Sequence, residues 1–487
     1  MPLNAAELLV SLAGPRVGPL RVRLANAMRD AIRSGRLGPG TTLPSTRILA
    51  SDLGLSRGVV VDAYNQLAAE GFVRGLPGAA TTVVYVQAAA LPERWQSQPP
   101  PSRLGPELDL RPGWPDLSAF PRRAWAAAVR DVLKDLPDAE LGYCEPWGPW
   151  ALRRELASYL ARVRGAMTAT DGVVVVSGVT QGLTLLCRLR LRQGADRLAV
   201  EDPSNAVQRQ LLGRLGVELV DVPVDDSGLR VDVLAATGCR AVLCTPAHQY
   251  PTGVVLSPTR REQLLRWASE VDGLIIEDDC DAEFRHDRAP LGCLQGMDPQ
   301  HVALLGSVSK TLAPALRIGW VLSPPQLLSE LRGIKRDDDF GSNAIDQHVL
   351  ACLLASGGYD RHLRGLRRRY RQRRDAFIQA FGRRLPSWDV MGSAGGLHLT
   401  VALPAGIPEG RLVAAAAGLG LSVLGLETMS ASKVSGPGIV ASYARATPDM
   451  SEDAVDRLVK ASQLLDQITP EMEAAAASAA SLWHDSG

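Results

Sequence analysis

Residues 306–320 read GSVSKTLAPALRIGW. Lys310 sits between two hydroxyl residues, and Arg317 follows seven positions later. A surface loop is the plain reading of most lysines, but the flanking runs VALL (302–305) and IGWVL (318–322) are apolar and strand-like. Moving outward, the runs VVVV (173–176), RLAV (197–200), AVLC (241–244) and GLII (273–276) alternate with helical patterns. Such alternation predicts an α/β fold with a mostly parallel central sheet covered by helices.

In an open sheet of this kind the strand ends line one crevice, where ligands bind. The acidic run EDDCD (277–281) follows GLII, with Asp278 placed 32 residues before Lys310. The turn SGVTQG (177–182) follows VVVV and opens a helix at Gly178, Val179 and Thr180. The crevice would then hold a lysine, a carboxylate, free N–H groups of a helix start, Ser307, Ser309 and Arg317. That set suits a phosphorylated pyridine aldehyde. A lysine amine forms a Schiff base with the aldehyde. A carboxylate keeps the ring nitrogen protonated, so that the ring acts as an electron sink. Helix N–H groups, serines and arginine bind a phosphate dianion.

The N-terminal part differs in character. Residues 43–71 read LPSTRILASDLGLSRGVVVDAYNQLAAEG. Pro44 and Ser45 start one helix, Gly54 makes the turn, and Ser56 caps a second helix. Val60, Ala63, Tyr64 and Leu67 follow i, i+3, i+4, i+7 spacing and form a buried stripe. Two short helices about a glycine make a helix-turn-helix. FVRGLPGAATTVVYV (72–86) then reads as a hairpin, or wing, with an uncharged tip. The second helix of such a motif enters the major groove with its N-terminal end leading, which puts Ser56, Arg57 and Gly58 against DNA. Ser45 and Arg47 on the first helix are placed to reach the backbone. A helical hairpin serving as a dimerisation cap is the alternative.

Net charge is +1, so the whole chain offers no global field for nucleic acid. Residues 1–87 hold nine arginines, no lysine and five acids, a local excess that suits a small DNA-binding module. Residues 88–108 form a proline-rich linker. A large domain over 109–470 and an Ala/Ser-rich tail over 471–487 follow. The seven scattered cysteines form no CxxC pair and predict reduced thiols rather than a metal site. No apolar run reaches membrane-spanning length and no signal-peptide pattern opens the chain, so a cytoplasmic protein is expected.

The N-terminal pattern resembles the GntR superfamily winged helix almost throughout. The region from about 109 to 470 resembles fold-type I aminotransferases on GYCEPWGPWALRRELASYLARVRG (142–165), SGVTQGL, EDPS (201–204), PAHQYPTG (246–253), EDDCDAEFRH and the lysine segment. The whole chain resembles the MocR subfamily of GntR regulators. The resemblance implies pyridoxal 5'-phosphate as cofactor, Lys310 as its Schiff-base residue and Asp278 as the pyridine partner. It implies a double-stranded DNA operator, an amine or amino-acid effector, and a head-to-tail homodimer. It makes a transcriptional regulator the expected function, with an aminotransferase carrying an accessory helix-turn-helix, or a regulator that has lost the cofactor, as alternatives.

Three positions depart from the family pattern. Cys280 stands where relatives carry a tyrosine that bonds the ring hydroxyl. Asn205 stands where they carry a stacking aromatic. Val440 stands where the enzymes carry the arginine for a substrate carboxylate, and Arg445 is out of register for that role. Tyr250 and Gln249 replace an asparagine, and either can face the ring hydroxyl. His248 is expected to position its loop. The helix HLRGLRRRYRQRRDA (362–376) belongs to a stretch with eight arginines between Arg361 and Arg374, which read as solvated or paired in preference to a DNA grip.

Overall fold

The computed structural model describes residues 18–75, 80–84, 107–279, 281–286, 291–392, 395–432, 436–470 and 472–474. Contacts divide the chain into two compact units, Met1–Arg103 and Leu104–Gly487. The proline-rich stretch 88–106, most of the tail and the wing tip 76–79 lie outside the described residues.

Among the described residues, the first unit is built from three helices and a short hairpin. Leu20–Arg33 buries Leu24, Ala25, Met28, Ala31 and Ile32, the spacing of one helical face. Ser45 caps Thr46–Asp52, accepting from the Ile48 amide at 3.3 Å. Ser56 caps Arg57–Ala69, accepting from the Val59 amide at 3.5 Å. Between them Gly54 takes φ +64°, a left-handed turn that a side chain would disfavour. The stripe Val60, Ala63, Tyr64 and Leu67 is buried as the spacing predicts, and the Tyr64 hydroxyl donates to the Pro44 carbonyl at 2.9 Å. Val73–Arg74 pairs antiparallel with Thr82–Val83 to form the hairpin. Arg29 clamps Glu70 through two hydrogen bonds of 2.8 and 2.7 Å, tying the first helix to the end of the third.

The second unit is organised by an eight-stranded sheet. Its order is Val173–Val176, Gly319–Leu322, Val302–Ser307, Leu274–Asp278, Ala241–Cys244, Arg197–Asp202, Glu218–Asp225 and Gly228–Leu229. All adjacent pairs from Val302–Ser307 to Glu218–Asp225 are parallel. Gly319–Leu322 runs antiparallel to both neighbours, and the edge hairpin strand Gly228–Leu229 is antiparallel too. The sheet is therefore mostly parallel, as the alternation of runs predicts. Its strands read as continuous apolar runs because both faces are covered. Val173, Val175, Leu304, Trp320 and Leu322 face one helical layer, while Val174, Val176, Leu305 and Val321 face the other. A smaller antiparallel sheet joins Asp389–Met391, His398–Ala402, Gly438–Ser442 and Leu424–Gly425. Strand Leu108–Asp109 pairs with Leu421–Ser422, so the start of this unit is sewn to its end. The helix Gly358–Arg384, 27 residues long, packs against Pro448–Gln463 beside the smaller sheet.

Candidate cofactor site and DNA-binding helix

Strand register gathers the predicted residues. Asp278 ends its strand opposite Leu305, and Ser307 ends the next strand opposite Gly319. Gly319 in turn lies opposite Val176, which runs into Ser177 and Gly178. Two groups result.

The first group lines a cavity of about 170 Å³ that includes Asp278, Lys310, Asn205, Tyr250, Asp281 and Glu201. Lys310 follows the Val302–Ser307 strand by three residues, and its Nζ donates to the Gly113 carbonyl. Asp278 is buried; Gln208 Nε2 donates to its Oδ2 at 2.7 Å, while its Oδ1 has no hydrogen-bond partner among the described residues. Burial pushes the Asp278 carboxyl up to about 6, with Asp279 and Asp281 adding to the rise and Gln208 and Lys310 opposing it. Glu201 is likewise pushed up to about 7 by burial, although the Thr245 amide and hydroxyl and Gln249 donate to it. Burial acts most strongly and raises Asp281, but His248, 3.3 Å away, together with His398 and Lys310 holds that carboxyl below the usual range.

The second group is the expected phosphate cluster. Gly178 caps the helix Val179–Arg192 with φ +91°, and the amides of Val179 and Thr180 fall in its first turn, where no intrahelical acceptor exists. Arg317 takes the left-handed conformation, φ 50°, and donates to the Ser177 carbonyl. A Cβ at Gly178 would stand 3.3 Å from the Arg317 guanidinium, and a Cβ at Gly319 would meet the Gly178 Cα at 2.8 Å. Glycine at both places lets guanidinium and helix start approach each other. Ser307 is buried and its hydroxyl accepts from the Ser309 amide at 3.3 Å. None of these six residues lines the 170 Å³ cavity itself; they form its neighbour, joined through the segment from Ser307 to Lys310.

Other expectations change on inspection. Asn205 is more than a missing ring: its Oδ1 accepts from the amides of Val207 and Gln208, at 3.0 and 3.4 Å, and so caps Ala206–Arg214. That helix presents Gln208 to Asp278. Gln249 cannot serve a ring hydroxyl, because its amide is spent on Glu201, the Pro203 and Tyr250 carbonyls and Thr252. Tyr250 remains on the cavity wall, its ring edge-on to His398 at 5.1 Å. Val440 is buried among Leu424, Leu426 and Met429, with Tyr250 packed against the cluster. Arg445 turns to the strand Leu108–Asp109, donating to the Asp109 carbonyl at 2.7 Å, so it is no substitute for a carboxylate clamp. Arg209 reaches the cavity but pairs with Asp221 at 2.6 Å. Cys280 lies outside the described residues. Gln208, Gly113, Glu201 and Asp281 were not singled out by the sequence; only the acidic run hinted at the last.

In the first unit, Arg47 and Arg57 are exposed and have no partner among the described residues. Gly58, beside Arg57, has open space where a Cβ would stand. Ser45 and Ser56 are engaged as caps, so their hydroxyls shape the motif and place Arg47 and Arg57 at helix starts.

These two units match two families. Residues 116–461 match the model for aminotransferase class I and II, and residues 20–83 match bacterial regulatory proteins of the gntR family. The chain belongs to the MocR subfamily of GntR-type transcriptional regulators. It is 36% identical over 430 residues to the HTH-type pyridoxine biosynthesis transcriptional regulator PdxR of Corynebacterium glutamicum, covering 86% of this chain and 91% of that one. It is 28% identical to the probable rhizopine catabolism regulatory protein MocR of Rhizobium meliloti, over 90% of this chain and 93% of that one. An archaeal alanine:glyoxylate aminotransferase superposes with a TM-score of 0.67 at 27% identity, covering 72% of this chain and 90% of that one. The fold of the second unit is thus that of a family dependent on pyridoxal phosphate, and the helix-turn-helix implies DNA binding. Among the described residues no helix is long and apolar enough to cross a membrane, and no cluster of His, Cys, Asp or Glu could hold a metal ion.

Proposed function

We propose that this chain is a cytoplasmic transcriptional regulator that binds its operator through Arg47, Arg57 and the start of Arg57–Ala69, and senses pyridoxal 5'-phosphate in the second unit. The observation that carries the reading is the buried Asp278 Oδ1, without a donor among the described residues, in the same cavity as the Lys310 amine. That acceptor fits a protonated pyridine nitrogen. The helix start at Gly178–Thr180, Ser307, Ser309 and Arg317 fit the phosphate. When bound, the cofactor supplies an aldehyde carbon open to amines and a ring that withdraws electrons. The chain's own residues bind and orient it: Lys310 at the aldehyde, Asp278 at the ring nitrogen, Tyr250 along the wall.

The ligand itself is favoured as the signal over an amino acid. The guanidinium that would hold an amino-acid carboxylate is replaced by Val440, and the arginines nearby are paired. The same observation speaks against transaminase turnover. An amine bound through the aldehyde is the second reading. The resemblance to a pyridoxine biosynthesis regulator supports the first. Exposed Leu141, Tyr143, Trp150 and Phe340 supply apolar surface for a homodimer.

The test is the visible absorption of the purified protein with added pyridoxal phosphate, beside Lys310→Ala, followed by DNA binding of each with and without ligand. A yellow band in wild type that borohydride abolishes, absent in the variant, together with a ligand-dependent change in DNA affinity, is the expected result. No band in either protein overturns the reading.

A further inference from the structure

The arginines of the helix Gly358–Arg384 fall on two sides. Its buried side is made by Tyr359, Leu363, Leu366, Tyr370 and Phe377. Arg367, Arg369 and Arg373 flank that side and are anchored. Arg367 donates to the Glu283 carbonyl at 2.6 Å, and Arg369 and Arg373 grip Asp116 at 2.8 and 2.9 Å. The structural role expected of this segment holds for these three.

Arg361, Arg364, Arg368 and Arg371 behave differently. They recur at i, i+3, i+7, i+10, one stripe about 15 Å long at about 1.5 Å per residue. All four are exposed, and none meets a carboxylate among the described residues; Arg361 donates to the Ser356 carbonyl at 3.3 Å, a bond that leaves its charge unneutralised. Successive members are three or four residues apart, where like charges on a helix repel. Beside the stripe opens a groove of about 420 Å³, bordered by Arg361, His362, Arg368 and Arg369, with Gly365 leaving room at its floor. Four unneutralised guanidinium groups in line, next to a groove, form a surface that gains from a linear polyanion and loses nothing by meeting it.

We propose that this stripe is a second DNA contact, on the aminotransferase-like unit, that grips backbone phosphates without reading bases. It rests on the DNA-binding reading of the helix-turn-helix, which makes duplex DNA the polyanion at hand. A duplex carries one charge per about 1.7 Å of axis, so a 15 Å stripe meets several phosphates at once.

The experiment is fluorescence anisotropy of the full chain on a labelled 45-base-pair random-sequence duplex, across a series of salt concentrations. Wild type is compared with the variant Arg361→Gln, Arg364→Gln, Arg368→Gln, Arg371→Gln, and with the corresponding fourfold Arg→Lys variant. Each phosphate contact contributes about 0.9 to the slope of log K against log salt, so losing all four in the Gln variant is expected to flatten the slope by about 3.6. The Lys variant should keep the slope, because a point charge suffices for a phosphate. An unchanged slope in the Gln variant overturns the proposal, as does equal loss in the Gln and Lys variants. If wild type binds no duplex at all, the DNA-binding reading fails first, and the stripe falls with it.

Discussion

Gln208 holds one oxygen of Asp278 at 2.7 Å and leaves the other, buried, without a donor among the described residues. The helix that carries Gln208 is itself started by Asn205. A residue that looks like a lost stacking ring is therefore the first link in a chain ending at the carboxylate that would face a pyridine nitrogen.

Cutting that chain should show in ligand affinity. Gln208→Leu removes a hydrogen bond to a charged group, which is worth about 1.5–3 kcal/mol, so pyridoxal phosphate should bind about 10- to 100-fold more weakly. Asn205→Ala loses a helix cap worth about 1 kcal/mol and should weaken binding about fivefold while lowering the melting temperature by a few degrees. Spectrophotometric titration and thermal melts check both. Unchanged affinity in Gln208→Leu would show that Asp278 needs no partner.

Acidity gives a second prediction. The Asp278 carboxyl sits at about 6 in the folded chain, chiefly through burial, against an ordinary value of 3.8. The folded state thus holds this proton more tightly than the unfolded state does. Its contribution to stability is full below about 4 and is lost as pH rises through 6. A bound ring that is protonated at nitrogen prefers the carboxylate and reverses this trend. The stabilisation conferred by pyridoxal phosphate, read as the shift in melting temperature, should therefore be larger at pH 8 than at pH 5. A shift independent of pH would contradict the role given to Asp278.

The phosphate cluster can be tested apart from the ring. Arg317→Ala removes one charge-assisted contact, and the loss of about 1.5–3 kcal/mol predicts a 10- to 100-fold weaker affinity for pyridoxal phosphate. Affinity for pyridoxal, which lacks the phosphate, should stay the same. Equal loss for both ligands would mean that Arg317 acts by holding the Ser177–Gly178 turn.

On the DNA side, Arg57→Ala and Ser56→Ala separate contact from scaffold. Arg57→Ala should weaken operator binding and flatten the salt dependence by about 1, without a change in melting temperature. Ser56→Ala should cost about 1 kcal/mol of stability through its cap and alter DNA affinity less. The reverse pattern would exchange the two roles.

Much of this fold is written in local patterns. Runs such as VVVV and VALLGS announce buried strands, and the Ser56, Val60, Ala63, Tyr64 and Leu67 pattern announces a capped helix with one apolar face. The crevice residues could be placed because strand ends in a parallel sheet converge. Contacts without a local signature could not. The Gln208–Asp278 bond joins residues 70 apart, and Arg369 and Arg373 find Asp116 some 250 positions away. Asn205 is a cap by residue type, a signal that the absence of an aromatic at its position obscures. The division of the arginine-rich helix into members bound across to Asp116 and Glu283 and members facing away depends on which face meets those residues, which periodicity alone does not decide.

The antiparallel strand Gly319–Leu322 has a consequence for how the chain is made. It sits between Val173–Val176 and Val302–Ser307, strands that emerge from the ribosome up to 146 residues earlier. Until it arrives, both of those strands present open edges, and the turn at Gly178 lacks the Arg317 that completes it. A nascent chain halted just before residue 317 carries two unpaired apolar edges and half a phosphate cradle. Such a species is prone to associate edge to edge. Strand closure and completion of the ligand site are therefore one event in biogenesis, and any fragment ending earlier forfeits both.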